Sequence, residues 1–216
     1  MKNLFPNLIL FFGLMVIGSS TVSGSTITPF FISETKKIEN LHFHSIFIDG
    51  DFDITLLQEE TSSISYDTHI FDKNDFEYRI NNGVLVLKST SKSKGSRQKV
   101  RIAVENISEI EVHGNTKLRT LFTIKLDDLR VNANSSETIQ LQVESDKINA
   151  LVVNAGDLYL DGHINELDYE NVGLGTLTGE NILIDHLNIV EGGKKRLNLQ
   201  FHENVMYKNT ELVQRP

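Results

Sequence analysis

Residues 151–179, LVVNAGDLYLDGHINELDYENVGLGTLTG, decide the fold because they contain the same short pattern twice. A turn at 154–156 precedes an alternating strand that starts at Leu158, and glycines at 173–175 precede a second strand that starts at Leu177. Asn and Gly favour such turns because they best accept the left-handed backbone conformation. A unit of about 20 residues is too small to bury its own apolar face, so the pattern predicts units that stack on one another.

Three sets of apolar residues extend this pattern over residues 105–202. Strands of stacked units would lie about 4.8 Å apart and bring the members of each set into one core. We therefore predict an all-β fold, a parallel β-helix (solenoid) with coils of about 20 residues. The alternative is a β-sandwich, which is the common arrangement of many short strands. The sets are Ile110, Leu129, Leu151, Leu167 and Leu187; Val112, Val131, Val153, Tyr169 and Ile189; and Leu118, Ile139, Leu158, Leu177 and Leu197.

The N-terminal part of the domain, residues 41–104, has the pattern of strands joined by hairpins. Alternating residues at 76–80 are followed by Asn82-Gly83 and then by the run VLVLK at 84–88. Asn-Gly between two alternating runs favours a type I′ turn, so we predict a hairpin over 76–88. These strands are expected to add coils or to cover an exposed strand edge at one end of the stack.

Residues 1–24 have the order of a secretory signal peptide: Lys2, then the apolar run LILFFGLMVI at 8–17, then small and polar residues. This run is shorter than the roughly 20 apolar residues that a membrane-spanning helix needs, and no other stretch is apolar enough. We therefore predict an exported chain with no membrane span after the leader. Its predicted parts are a signal peptide at 1–24, a linker at 25–40, one β-helix domain at 41–202 and a C-terminal tail at 203–216.

Three segments resemble a known bacterial family. They are residues 43–58 (FHSIFIDGDFDITLLQ), residues 81–89 (NNGVLVLKS) and the glycine-centred turns of residues 154–179. Together they resemble the auto-transporter adhesins with a head GIN domain, over roughly residues 41–200. The resemblance implies a right-handed parallel β-helix, export to the periplasm, the outer surface or the medium of a bacterium, and binding at a surface. It brings no catalytic residues with it.

Composition excludes several kinds of site. Cysteine is absent, so the chain has no disulfide, catalytic thiol or Cys-ligated zinc. The net charge of −8 argues against a nucleic-acid partner, since phosphate binding needs a positive field. Glycines at 173–179 resemble a dinucleotide-binding loop, but that loop needs a following helix and a strand pattern follows here. No cofactor is expected.

The strongest candidates for an ion site are Asp49, Asp51 and Asp53 in the sequence DGDFD. On a continuous strand the three carboxylates would share one face and attract a cation such as Ca²⁺. We expect Gly50 to turn the chain and break this row, so the favoured interpretation is a solvated turn and no metal site. His42 and His44 have the spacing of two metal ligands, but no third ligand motif accompanies them, which favours exposed strand histidines.

We predict a non-catalytic envelope protein, an adhesin-like module that presents a β-helix surface to a glycan or a protein. One alternative is a carbohydrate-active enzyme, for which Asp127, Asp128 and Arg130 are the best available residues because such enzymes need clustered acidic and basic groups. The other is a structural component of the envelope that assembles with itself through exposed strands.

Overall fold

The computed structural model describes residues 35–67, 76–89, 97–191, 199–201 and 206–214. These ranges contain strands and no helix, so the all-β class is confirmed, and none of the described segments could cross a lipid bilayer as a helix. The predicted signal peptide lies outside the described residues. The strands are β1 Thr35–Leu41, β2 Ser45–Gly50, β3 Phe52–Gln58, β4 Ser62–Asp67, β5 Phe76–Asn81, β6 Val84–Ser89, β7 Gln98–Val104, β8 Glu109–Gly114, β9 Lys117–Thr120, β10 Ile124–Ser135, β11 Ile139–Val152, β12 Leu158–Asn171, β13 Leu177–Gly179, β14 Ile182–Glu191, β15 Leu199–Phe201 and β16 Met206–Gln214.

The described strands belong to one curled sheet, a half-barrel in which most neighbouring strands run parallel. From one edge the order is β1-β4-β7-β3-β9-β11-β10-β8-β2-β6-β5, and β12 to β16 continue from β11. This arrangement is not the pair of packed sheets that a sandwich requires. Nor does the sheet as a whole show a parallel β-helix, because β1, β4 and β5 pair antiparallel at its N-terminal end.

Long parallel ladders join β10, β11, β12 and β14. The pairing of β11 with β12 keeps a constant offset of 19 residues, from Ile139 opposite Leu158 to Val152 opposite Asn171. Inward residues of successive strands therefore stack in rows, and each row buries apolar surface against the next. One fully buried row is Leu85, Ile46, Ile110, Val131, Ala150, Tyr169 and Ile189, and another is Val100, Ile54, Leu118, Ile139, Leu158 and Leu177.

The structure corrects two of the three predicted apolar sets. Leu129 lies opposite Ile148, not Leu151, and Ile110 lies opposite Val131, not Leu129. Leu151 is three positions beyond Ile148, so it points to the other side of the strand and is half-buried. The error arose because small inward residues such as Ala150 do not stand out as core positions in the sequence.

The third set is closer to the structure. Leu118, Ile139, Leu158 and Leu177 do lie opposite one another in successive strands. The next partner of Leu177 is Leu199, not Leu197, which lies outside the described residues.

The N-terminal part combines a hairpin with parallel strands. The predicted hairpin is confirmed: β5 and β6 pair antiparallel, and Asn82 and Gly83 between them have φ of 50° and 76°. Strands β2 and β3 instead run parallel to β8 and β9, so they extend the parallel region as one more layer.

Two segments without predicted strands also join the sheet. β1 includes the end of the predicted linker and pairs with β4, and β16 lies in the predicted tail and pairs with β14. Their apolar alternation is weak, so backbone pairing with a neighbour, which is invisible in the sequence, decides their structure.

The close approach of parallel strands requires glycine at Gly162 in β12. Its φ is +106°, a conformation that residues with a Cβ rarely adopt. A Cβ there would also overlap the backbone carbonyl oxygen of Val143 in β11. We expect any substitution at this position to strain the ladder between β11 and β12.

Candidate binding surface

The three candidate aspartates lie at the junction of β2 and β3. Asp49 is in β2, Asp51 is in the bend and Asp53 is in β3. Gly50 has φ of +145°, so it turns the chain where the sequence predicts a break in the row. Within the described ranges, no three His, Asp or Glu side chains form a group that could hold a metal ion. The absence of a metal site stays a prediction.

The other sequence candidates do not converge either. His42 and His44 are both exposed, and the Nδ1 atom of His44 lies 3.0 Å from the hydroxyl of Ser45. Asp127 lines a shallow groove, whereas the Arg130 guanidinium lies 3.9 Å from the carboxylate of Glu109. The structure therefore directs Asp127 and Arg130 to different neighbours and does not bring them together in one site.

A group of four cations on the outer side of β7 and β9, the two strands that flank β3, was not predicted. Lys99 and Lys117 lie opposite Asp53 on its two sides, and the next outward position of β3, Thr55, lies in the same way between Arg101 and Arg119. Strands about 4.8 Å apart and a rise of about 3.3 Å per residue place the four Cα atoms at the corners of a rectangle of roughly 10 by 7 Å. We call this set, Lys99, Arg101, Lys117 and Arg119 with Asp53 and Thr55, the basic surface.

The cations of the basic surface are available for a ligand. All four side chains are exposed. Among the described residues none of the four forms a salt bridge, although eight other ion pairs occur there. This positive region stands on a chain of net charge −8. An exposed cation changes the free energy of unfolding very little, whether it is paired or solvated by water. A gain in stability therefore does not explain why four cations lie together.

The basic surface borders a depression of about 330 Å³. Its lining includes Lys99, Arg101 and Arg119 and adds Ser65, Tyr66 and Asp67 of β4, so two carboxylates, Asp53 and Asp67, line the same depression as three of the cations. The Oδ1 atom of Asp53 is buried and has no hydrogen-bond partner among the described residues. A buried acceptor without a donor is costly, and because this atom has almost no exposed surface, a ligand could reach it only after the Asp53 side chain moved.

An apolar loop follows the basic surface at the end of β9. The backbone N–H of Leu121 donates to the carbonyl oxygen of Leu56 at 2.8 Å, which holds the loop against β3. Leu121 is 42% exposed and Phe122 is 67% exposed. Phe122 is only three residues from Arg119, so an aromatic side chain and the cations are presented by one short segment. Such mixed contacts are typical of ligand-binding surfaces.

The parallel ladders carry charges of a different kind. The Lys147 ammonium in β11 lies 2.6 Å from the Glu166 carboxylate and 2.8 Å from that of Asp168, and the Asn188 amide donates to Asp168 at 2.8 Å. The hydrogen bonds to Asp168 and Glu166 raise the pKa of Lys147. Burial alone would raise the pKa of Asp168, but its hydrogen bonds from Lys147 and Asn188 outweigh this and lower it. The network therefore joins three neighbouring strands.

A groove of about 400 Å³ beside this network is also internally paired. The Lys125 ammonium lies 2.8 Å from the Glu144 carboxylate, and the Asn165 amide donates to Asp146 at 2.8 Å. His163 at the same groove lies 3.6 Å from Asp185. Lys125, Glu144 and Asp146 thus use their charges in contacts between strands, so the groove is a weaker candidate for a binding site than the basic surface.

Sequence reasoning could have found the basic surface from one signal. Lys99 and Arg101, and Lys117 and Arg119, each alternate with buried residues, so each pair shares the outer side of its strand. The locally basic run KSKGSRQK at 92–99 has the composition of a solvated loop, but its last two residues, Gln98 and Lys99, belong to β7. That the two pairs flank one strand depends on the order β7-β3-β9, which the sequence does not reveal.

Comparison with known proteins identifies relatives by family and by fold. Residues 42–205 match the model of a family described as "putative auto-transporter adhesin, head GIN domain". No curated protein sequence matches the chain.

Two solved structures are similar to this one. A structure described as a putative adhesin from Bacteroides fragilis has a TM-score of 0.64 at 13% identity, and the match covers 84% of this chain and 94% of that one. A structure described as a putative lipid binding protein from Parabacteroides distasonis has a TM-score of 0.50 at 14% identity, covering 85% and 96%. At these identities the likeness concerns the fold alone.

Proposed function

This chain belongs to the family of auto-transporter adhesins with a head GIN domain, and we propose that it is an exported, non-catalytic binding module whose basic surface docks an acidic glycan outside the cytoplasm. The observation that carries the proposal is the set of four exposed cations on β7 and β9, on the two sides of β3, which form no salt bridge with any residue that the structure describes. The adhesin-like family supports a role in binding, and the leader at 1–24 supports export.

The chemistry of the basic surface favours a ligand with both negative groups and hydroxyls. Arg101 and Arg119 each offer a planar fork of donors that suits a carboxylate or a sulfate. Asp53, Thr55 and Ser65 line the same depression, so polar groups for the hydroxyls of a sugar lie beside the cations. An acidic polysaccharide is favoured over nucleic acid because the chain as a whole has a net charge of −8, which disfavours a nucleic-acid partner.

Binding to acidic polysaccharides tests this proposal directly. We expect the purified chain to bind a carboxylated or sulfated polysaccharide, and to bind an uncharged polysaccharide of the same backbone much more weakly. Affinity should fall as salt rises, because the contact is electrostatic. The double variant Arg101→Glu/Arg119→Glu should lose about 100-fold in affinity, since two attractive contacts become repulsive.

The matched control is Lys125→Glu/Arg130→Glu. It changes the net charge equally, at two exposed positions of β10 outside the basic surface. Retained binding in this control and lost binding in the first variant would support a local site. Equal losses in both would show that net charge alone governs binding and would overturn the basic surface as the site. Steady release of shortened glycan by the wild-type chain would overturn the non-catalytic role.

The scaffold of this module is proposed to be a right-handed parallel β-helix. The constant offset between β11 and β12, and the pairing of β12 with β14 at a similar offset, support coils of about 20 residues. An experimental structure with a closed turn between successive ladders would agree with this proposal, and an open sheet would overturn it.

A further inference from the structure

Strand β5 ends the sheet on one side with core-facing residues that are incompletely covered. It pairs antiparallel with β6, and no other described strand pairs with it. Tyr78 and Ile80 of β5 lie opposite Leu87 and Leu85 of β6, which are fully buried. Tyr78 and Ile80 themselves are each 37% exposed. The apolar row therefore continues to the edge of the sheet, and no described residue pairs with β5 beyond it.

The hairpin geometry determines which backbone groups of β5 face this edge. Asn81 and Val84 flank the two-residue turn, so they form a hydrogen-bonded pair. Bonded and non-bonded pairs alternate along an antiparallel ladder, so the pairs of Arg79 and Glu77 with β6 are also bonded. The N–H and C=O groups of residues 76, 78 and 80 therefore point away from β6, toward the open edge. An edge of this kind is a template for another strand.

The sequence of β5 is complementary to itself when it runs antiparallel. A two-fold axis can pass beside any residue of β5, because an antiparallel ladder has such an axis at its hydrogen-bonded pairs and at its non-bonded pairs. Only an axis at Tyr78 pairs the whole segment 76–80. In that register Tyr78 lies opposite the partner's Tyr78, and Glu77 lies opposite the partner's Arg79, so each charge meets its opposite. Residues 78 and 80 of both copies share the other side of the joined sheet.

We propose that a second copy of this chain binds at β5, so that two sheets join into one across a two-fold axis. The pairing satisfies the outward backbone groups of residues 76, 78 and 80, extends the cover over Tyr78 and Ile80, and forms the pair of Glu77 with the partner's Arg79 twice. Among the described residues, neither Glu77 nor Arg79 forms a salt bridge within its own chain. Natural edges are commonly protected by charges that repel a second copy, whereas these two attract one.

The dimer would also serve binding. It would present two basic surfaces, and a long polymer could engage both at once with a large gain in apparent affinity. The dimer proposal does not depend on this gain, because it rests on β5 alone.

Sedimentation equilibrium of the full chain tests the dimer between about 5 and 500 μM, the range expected for an interface as small as one strand pair. We expect a single equilibrium between monomer and dimer. Glu77→Arg and Arg79→Glu should each weaken it about 30-fold, because two attractive pairs become two repulsive ones. The double variant Glu77→Arg/Arg79→Glu should restore it, since opposite charges face each other again.

Restoration by the double variant supports pairing of opposite charges, and thermal unfolding of each variant at a concentration where it is monomeric shows whether a folding defect contributes. Arg130→Glu, the same charge change on β10, serves as the control and should leave the dimer unchanged. A chain that stays monomeric over the whole range would overturn the proposal. Assemblies larger than a dimer would also overturn it. The same holds if Glu77→Arg, Arg79→Glu and the double variant all associate with equal affinity.

Discussion

The outer charges of the ladders and those of the basic surface differ in how they are used. In the ladders, Lys147 contacts Glu166 and Asp168 on the next strand, so charge is neutralised where strands join. On the basic surface, Lys99 and Lys117 have no salt bridge among the described residues. Outward-facing charges of one sheet can therefore either stabilise the contact between strands or remain available for a ligand. Whether a charge forms a salt bridge distinguishes the two uses.

The largest effect is expected from the register on which the ladders depend. Ile148→Ala should lower the free energy of unfolding by about 2 to 5 kcal/mol, because Ile148 is fully buried between Leu129 and Leu167. Leu151→Ala should cost about 1 kcal/mol or less, since that side chain is half-buried on the other side of β11. Denaturant unfolding of both variants measures the difference. Equal losses of unfolding free energy in the two variants would contradict the register of β11 against β10 and β12. They would also contradict the contacts of Lys147 with Glu166 and Asp168, which depend on that register.

A smaller effect is expected at the centre of the paired network. Lys147→Gln removes the ammonium that contacts two carboxylates, and it leaves them to repel each other. Because all three side chains are partly exposed, solvent screening limits the expected loss to about 1 kcal/mol. Thermal unfolding at low and high salt measures it. A variant as stable as the wild type would mean that the ladders gain nothing from pairing their charges.

Acid should remove the same contribution. Since the pKa of Asp168 is lowered in the folded chain, its contribution is complete above its ordinary value of 3.8 and is lost as the pH falls through the lowered value. The difference in melting temperature between wild type and Lys147→Gln should therefore be constant from pH 7 to about pH 4 and shrink below that. A difference that stays constant into strong acid would show that the carboxylate of Asp168 does not take part.

The smallest effect on stability is expected on the basic surface. Lys117→Gln removes one of four neighbouring cations, so unfolding free energy should stay equal or rise by up to about 0.5 kcal/mol as repulsion decreases. Calorimetry at low salt is the suitable measurement, with Lys147→Gln as the contrasting variant. A clear loss of stability in Lys117→Gln would reveal a cohesive role and remove the distinction between the two regions.

Much of the fold could be predicted from local sequence patterns. The Asn82-Gly83 hairpin was predictable because both residues accept positive φ, and the row from Leu118 to Leu177 was predictable because its members are large and apolar. The row through Ala150 was missed because a small inward residue resembles an outward one. Strand pairing at both ends of the domain was missed because it depends on partners distant in the chain.

The candidate site was less accessible from the sequence. Asp49, Asp51 and Asp53 were candidates because they lie close together in the sequence. The residues of the basic surface are far apart in the sequence and are brought together by the order of the strands. Of these aspartates only Asp53 belongs to that surface, where it lies between Lys99 and Lys117. Alternation predicts which side of a strand a residue occupies, but only the strand order brings distant pairs together.

The constant offset of 19 residues between β11 and β12 restricts how the length of such a chain can change. Deleting one residue within β11 would move every later side chain of that strand to the opposite side of the sheet. Duplicating residues 139–157 as a block would instead keep each row and add one layer to it. Relatives of this fold should therefore grow and shrink by whole layers. A designer could lengthen the domain by the same rule, and so increase the distance between whatever the chain holds at its two ends.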